Sequence, residues 1–242
     1  MILLLFPKKY LTQRFLNLSS LDSSIIIAID GYASTGKSTL AKMLSKYFQI
    51  PFIDSGALYR GITLYGIENQ FLKSNALDQL ALKKELDRVI MKFDLTGKLY
   101  LNGENISEKI RLPEVSDNVS TIAALAFVRD FTLKQLRKMA SDSGLVMDGR
   151  DVGTVVFPDA DYKFFFNARP EIRAQRRYEE LKAKGQNITL EEVLKNLIQR
   201  DELDSKRDIH PLRKAKDAIE IDTSELTTEQ IFTLLIEKIH SK

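Results

Sequence analysis

Two glycines, a lysine and a serine recur at fixed spacing in Gly31-Tyr32-Ala33-Ser34-Thr35-Gly36-Lys37-Ser38. The run fits G-x-x-x-x-G-K-S/T, a pattern whose chemistry is the cradling of phosphate by backbone N–H groups. Glycine at both ends lets the chain curl so that its N–H groups face inward, and a helix starting at Lys37 aims its N-terminal dipole at the same point. Lys37 is then placed to reach the β and γ phosphates as a point charge, and Ser38 to ligate magnesium. With Thr39 added, the run is the candidate donor site, and ATP and Mg2+ are the ligands it implies. A glycine turn without chemical meaning would not need the flanks present here, an apolar "IIIAID" (25–30) before it and a helical pattern after it.

Other charged residues fall at comparable junctions. "DSGALYRG" carries Ser55 and Arg60, which could hold a second phosphate beside the first; an ordinary turn with Ser55 as helix N-cap is the alternative. In "MDGRDVGTVVFPDA", Asp148 takes the place of an acid that reaches a metal directly or through water, with Arg150 and Asp151 beside it. A structural ion pair of Arg150 is the plainer reading there. Arg173, Arg176 and Arg177 stand at i, i+3 and i+4 behind Pro170, a like-charged stripe that costs a lone helix a few tenths of a kcal/mol per pair and so points to an anion. In "RDELDSKRD", Arg200, Asp204 and Arg207 share one face of a helix opened by the capping box from Thr189 to Glu192. Two guanidinium forks around one carboxylate suit a phosphate and a sugar hydroxyl, or else a solvated ladder of ion pairs.

For these groups to converge, the chain must bring several strand ends to one edge. Five apolar runs read as strands: 25–30, 51–54, 144–148, 162–167 and 218–222. None alternates, as expected of a parallel sheet covered on both faces. Helical patterns lie between them, at 37–48, 57–68, 114–142 with a break, 170–184, 190–207 and 227–240. The expected fold class is therefore α/β, a five-stranded parallel sheet with helices on both faces. Residues 89–107 break the rhythm with β-like runs around Thr96-Gly97 and Asn102-Gly103, so a small antiparallel insert is expected at 80–112. The divisions anticipated are an N-terminal extension (1–24), core (25–79), insert (80–112), core (113–169), helical lid (170–190) and core (191–242). The extension lacks a basic start and a small-residue cleavage site, so a short amphipathic helix using Leu11, Phe15 and Leu18 is expected rather than a secretion signal.

A chain of 242 residues, 44% of them hydrophobic, can bury one large core. Its 36 basic and 33 acidic side chains leave a net charge of +3, which does not suggest a nucleic-acid or membrane binder. With no cysteine and two histidines, the chain has no disulfide, thiolate metal site or cysteine nucleophile, and a cytoplasmic setting is expected.

From residue 25 to 224 the sequence closely resembles the bacterial cytidylate kinases, P-loop nucleoside monophosphate kinases. The phosphate loop, "DSGALYR", "DGRDVGTVVFPDA", the arginine-rich lid helix, "RDELDSKRD" and the β insert all carry the resemblance. It implies transfer of the ATP γ-phosphoryl group to CMP or dCMP, probed most directly at Lys37, Arg150, Arg200 and Arg207, and a chain acting as a monomer. It implies a monophosphate site of Ser55, Arg60, Arg129, Arg150, Arg200 and Arg207, with Ser120, Arg129 and Asp151 reading cytosine and Asp204 the ribose. Arg176 matches the lid arginine that meets the triphosphate. Tyr32 and Thr35 depart from the family's usual proline and small residues. Rival readings are a kinase for UMP, AMP or dTMP, against which the insert and "DGRD" argue, and a nucleotide-dependent switch. The nearest approach to a switch's Asn-Lys-x-Asp is Ser205-Lys206-Arg207-Asp208, inside an expected helix.

Overall fold

The computed structural model describes residues 24–73, 76–94, 97–139 and 144–241. The N-terminal amphipathic helix, Thr96 of the first insert turn and the end of the helix expected to reach 142 lie outside these residues. Along the chain run β1 (Ile26–Gly31), α1 (Lys37–Phe48), β2 (Phe52–Asp54), α2 (Ser55–Glu68), the two-residue strands β3 (Leu72–Lys73) and β4 (Ala76–Leu77), and α3 (Gln79–Glu85). Next come β5 (Met91–Phe93), β6 (Leu99–Leu101), β7 (Glu104–Asn105), α4 (Pro113–Ala123), α5 (Ala126–Met139), β8 (Leu145–Gly149) and β9 (Tyr162–Asn167). The chain ends with α6 (Pro170–Ala183), α7 (Leu190–Lys206), β10 (Ile219–Asp222) and α8 (Thr228–His240).

Five parallel strands form the central sheet in the order β10-β9-β1-β8-β2. Neighbouring residues of β1, β8 and β9 serve opposite faces, which explains their unbroken apolar runs, whereas edge strand β10 buries only Ile221 and departs from that expectation. Ala28, Leu145 and Met147 join a core with Leu58 and Ile62 of α2 and Val115 of α4. Ile27, Ile29, Val146, Phe164 and Phe166 join the other, with Leu40 and Leu44 of α1 and Leu235 of α8. Each of these side chains larger than alanine contributes about 1.5–3 kcal/mol on leaving water. Register then aligns the chemistry: Ile29 lies opposite Asp148, and Asp148 opposite Asp54, so β1, β2 and β8 end at one edge. Gly31 closes β1 at φ 144, where an added Cβ would stand 2.1 Å from the Phe166 carbonyl oxygen. No other residue fits that approach.

Helix ends differ from expectation in two places. Asp54 caps α2 by accepting from the Ala57 amide, so the helix begins at Ser55, two residues early. The break expected within 114–142 falls at Ala124-Leu125, between α4 and α5. Arg207 follows the last turn of α7 with extended backbone (ψ 144), outside the helix in which its spacing was read. The capping box at Thr189 and Glu192 is present in both directions.

The insert is a three-stranded antiparallel sheet, β5-β6-β7, with Asn102 (φ 48) and Gly103 (φ 90) in its second turn. Its apolar side chains Met91, Leu99, Leu101 and Ile106 share the core of α2, so it is a lobe of that core with none of its own. The β3–β4 ribbon preceding it was not anticipated. On the opposite side, α6 and α7 pair through Ala174, Leu181, Val193 and Leu197, which also cover Ala33 of the phosphate loop. No helix among the described residues is long and apolar enough to cross a membrane.

Candidate active site

The phosphate loop leaves β1 at Gly31 and enters α1 at Gly36, whose left-handed backbone (φ 88) caps the helix without a side-chain bond. The first-turn N–H groups are thereby left for a ligand. Three contacts fix the loop from behind: Arg173 donates to the Ala33 carbonyl at 3.4 Å, Thr223 Oγ1 donates to the Thr35 carbonyl at 3.1 Å, and the Thr35 hydroxyl donates to the Tyr32 carbonyl at 2.9 Å. Tyr32 has its ring edge-on to Phe165 at 6.1 Å and under the Arg173 guanidinium at 5.1 Å. Lys37 is buried, and donates to the Tyr32 carbonyl and, at 3.3 Å, to Thr35 Oγ1. Burial, reinforced by the Arg150 charge, pulls its pKa down to about 7. An anion placed against that ammonium would offset the cost of burying it.

Ser38 donates to Asp148 Oδ2 at 2.5 Å, joining α1 to the end of β8. Burial and the nearby Asp54 push Asp148 up to about 6, and its Oδ1 is buried with no hydrogen-bond partner. An orphaned carboxylate oxygen beside a hydroxyl is a donor pair of the hard-oxygen kind that magnesium prefers. Among the described residues no cluster of three carboxylate, imidazole or thiolate groups could hold a metal by itself. The residues thus suit an ion that takes its other ligands from phosphate and water.

The facing side of the cleft is a net of guanidinium and carboxylate groups. Arg150 Nε donates to Asp204 Oδ2 at 2.9 Å, Ser120 donates to Asp204 Oδ1 at 3.2 Å, and Arg207 stands 3.7 Å from the same carboxylate. Burial works against the charge on Asp204, but Arg150, Arg200 and Arg207 outweigh it and hold the carboxyl below the usual range. Arg60 pairs with Asp54 at 2.5 Å, yet its Nε is buried and unpartnered, and so is the Nε of Arg200. Burial and the Arg150 charge pull Arg200 down to about 10. Ser55 donates to the Asp148 carbonyl at 2.7 Å; it is not an N-cap but the tie between β8 and the start of α2.

One cleft of about 1800 Å³ is lined by Lys37, Ser38, Ser55, Arg60, Ser120, Asp148, Arg150, Asp151, Arg200, Asp204 and Arg207. Ala33, Ser34, Thr35, Gly36 and Thr39 line it too, while Gly31 and Tyr32 do not. Arg129 does not line it. At 1% exposure it lies behind Asp151, donating to that carboxylate, to the Ala123 carbonyl at 3.0 Å and to His210 Nδ1 at 3.2 Å. The stripe on α6 is divided three ways. Arg173 is buried against Asp201 at 2.7 Å, Arg176 donates to the Thr223 carbonyl at 2.6 Å, and only Arg177, paired with Glu180, faces the main cleft. Arg176 lines a smaller cavity of about 380 Å³ on the other flank of the loop, with Thr35, Gly36 and Thr39.

Sequence reasoning missed four groups. Asp30, pushed up to about 7 by burial, accepts from the amides of Val152 at 2.8 Å and Gly153 at 2.7 Å, tying the donor loop's strand to the segment carrying Arg150 and Asp151. A charged residue closing the run "IIIAID" was the available signal. Asp54 holds Arg60, Asp201 holds Arg173, and His210 touches Arg129. No local pattern marked these.

The cytidylate kinase family model matches residues 27–241 of the chain. A cytidylate kinase of Bacteroides fragilis is 51% identical over 208 residues, spanning 84% of this chain and 91% of that protein. One from Bacteroides thetaiotaomicron is 50% identical over 211 residues (85% and 92%), and one from Flavobacterium psychrophilum 44% identical over 222 residues (90% and 98%). Among solved structures, an uncharacterized protein from Eubacterium ventriosum aligns with TM-score 0.50 at 14% identity, over 90% of this chain and 99% of that one, a likeness of fold alone.

Proposed function

The chain belongs to the cytidylate kinase family, and from that premise we propose that it moves the γ-phosphoryl group of ATP onto the 5′-phosphate of CMP or dCMP. An ionised oxygen of the acceptor phosphate forms the new P–O bond while the bond from the γ-phosphorus to the bridging oxygen breaks, releasing ADP. No general base is needed, because the nucleophile is already an anion. Catalysis becomes alignment and the cancelling of repulsion between two polyanions. The observation that carries this reading is the pair of buried, unpartnered guanidinium Nε groups on Arg60 and Arg200, in the same cleft as the buried Lys37.

The donor triphosphate would lie on the loop from Gly31 to Thr39, with Lys37 on its outer phosphates and Arg176 on its far flank. Ser38 and Asp148 would hold magnesium, which supplies charge neutralisation at the phosphate oxygens when bound. Ser55, Arg60, Arg150, Arg200 and Arg207 would surround the acceptor phosphate, and Asp204 its ribose. Ser120 and Asp151 would face the base, with Arg129 setting the position of Asp151. Closing of residues 170–190 and of the insert would expel water and strengthen every one of these interactions. A cytoplasmic monomer without nucleic-acid or membrane partners is the setting proposed.

Arg150→Ala and Arg207→Ala are each expected to lower turnover at least about tenfold, a loss of about 1.4 kcal/mol or more. Near-normal turnover in both would remove these roles. A coupled assay of ADP formation with CMP, dCMP, UMP, AMP and dTMP tests the function itself. Rapid ADP release is expected only with a cytosine monophosphate; slow hydrolysis indifferent to acceptor would instead mark a switch. UMP presents an O4 acceptor where cytosine presents an N4 donor, so beside Asp151 its kcat/KM should fall at least about tenfold below that of CMP. Equal values would defeat this account of selectivity.

A further inference from the structure

His210 takes no part in the scheme above, yet both cationic partners of Asp151 are bonded to it. Arg129 Nε donates to its ring Nδ1 at 3.2 Å, and Arg207 Nε donates to its carbonyl at 2.7 Å. These same arginines pair with Asp151, Arg129 on Oδ2 and Arg207 on Oδ1 at 3.5 Å. The backbone of His210 is left-handed (φ 51), a conformation that turns ring and carbonyl toward the two arginines at once.

We infer that His210 is a positioning residue for the acceptor base: its neutral ring fixes Arg129, and through Arg129 it fixes the carboxylate that meets cytosine. The inference rests on the reading that Asp151 faces the base. For Nδ1 to accept from Arg129, the ring must be neutral with its proton on Nε2. The charged groups around it are Arg129 and Asp130 of α5, Asp151 after β8, and Arg207 after α7. Burial, with the Arg129 charge added, holds the imidazole below its usual range, so the accepting form prevails at neutral pH. A proton on Nδ1 would remove the acceptor and set a cation against the guanidinium.

Two variants of the full chain separate this role from a structural one. His210→Asn keeps an acceptor close to the Nδ1 position and tolerates a left-handed backbone, whereas His210→Gly tolerates the backbone and removes the acceptor. The Gly variant should raise KM for CMP about tenfold with kcat within about twofold, the effect of one lost bond to a charged group. The Asn variant should stay within about threefold of wild type in KM and shed the part of the acid-side rise in KM that the ring contributes. The 15N spectrum of the imidazoles, assigned with His240→Gln, should show His210 with a bare Nδ1 and a protonated Nε2 at pH 7.5. An unchanged KM in the Gly variant, equal damage in the Gly and Asn variants, or a protonated Nδ1 would each overturn the inference. If the spectrum is as expected but Asp151→Asn leaves the preference for CMP over UMP unchanged, the base-facing reading has failed. In that case the histidine–arginine bond is structural, and the inference falls with its premise.

Discussion

Lys37→Met should lower turnover by about 10² to 10³-fold while leaving the melting temperature unchanged or higher. The two halves of that expectation have one cause. In this structure the ammonium is buried and bonded to the loop's own Tyr32 carbonyl and Thr35 hydroxyl, with its pKa drawn down to about 7 by burial and by Arg150. Without an anion the fold carries an unfavourable buried charge, which an isosteric apolar side chain removes. In the proposed complex the same charge would sit where negative charge must move during transfer, and exclusion of water would make it count for more than it does in solvent. Removing one such preorganised group from a transition state costs about 2.7–4 kcal/mol, the origin of the expected loss. Turnover within tenfold of wild type would show that Lys37 does not meet the transferred phosphoryl group. A melting temperature many degrees lower would show that the lysine holds the loop together rather than waiting for a ligand.

How much of this was legible depended on whether the deciding contact was local. The run "IIIAID" announced a doubly covered strand because Ala28 serves one core and Ile27 and Ile29 the other, a requirement written into six adjacent residues. The glycine loop, the capping box at Thr189 and the Asn102-Gly103 turn are likewise short-range, and were read as they stand. The arginines on α6 show where that kind of reading stops. Helical spacing correctly put Arg173, Arg176 and Arg177 on neighbouring positions, but their fates are set by Asp201 on α7, by Thr223 after β10 and by Glu180 on the same helix. Only Arg177 was left facing the cleft. Arg129, implied as a base contact, is buried and bonded to the Asp151 carboxylate, a pairing that no local spacing revealed. The two-residue strands β3 and β4 had no periodicity to reveal them, since a pairing that short is defined by its partner.

That placement of Arg129 makes its removal the largest stability loss expected at the site. Arg129→Ala should destabilise the fold by about 3–5 kcal/mol, because the cost comes from the partner left behind. Asp151 is buried, and beyond Arg129 its guanidinium contact is Arg207 at 3.5 Å. The alanine would also strand the Ala123 carbonyl and His210 Nδ1, and would leave a gap over the Tyr59 ring, which the guanidinium covers at 5.3 Å. For a chain of 242 residues the loss corresponds to a melting temperature lower by on the order of 10 °C. Replacing both partners, as in Arg129→Met with Asp151→Leu, should recover part of that stability, since no buried carboxylate is left unpaired and Arg207 keeps Asp204 at 3.7 Å and the His210 carbonyl at 2.7 Å. The double variant should nonetheless use CMP no better than UMP, because the carboxylate proposed to accept from N4 is gone. Stability and selectivity would then separate cleanly in one pair of variants. If Arg129→Ala melts within about 3 °C of the parent, or if the double variant melts no higher than the single one, the pair is not the electrostatic unit its geometry describes.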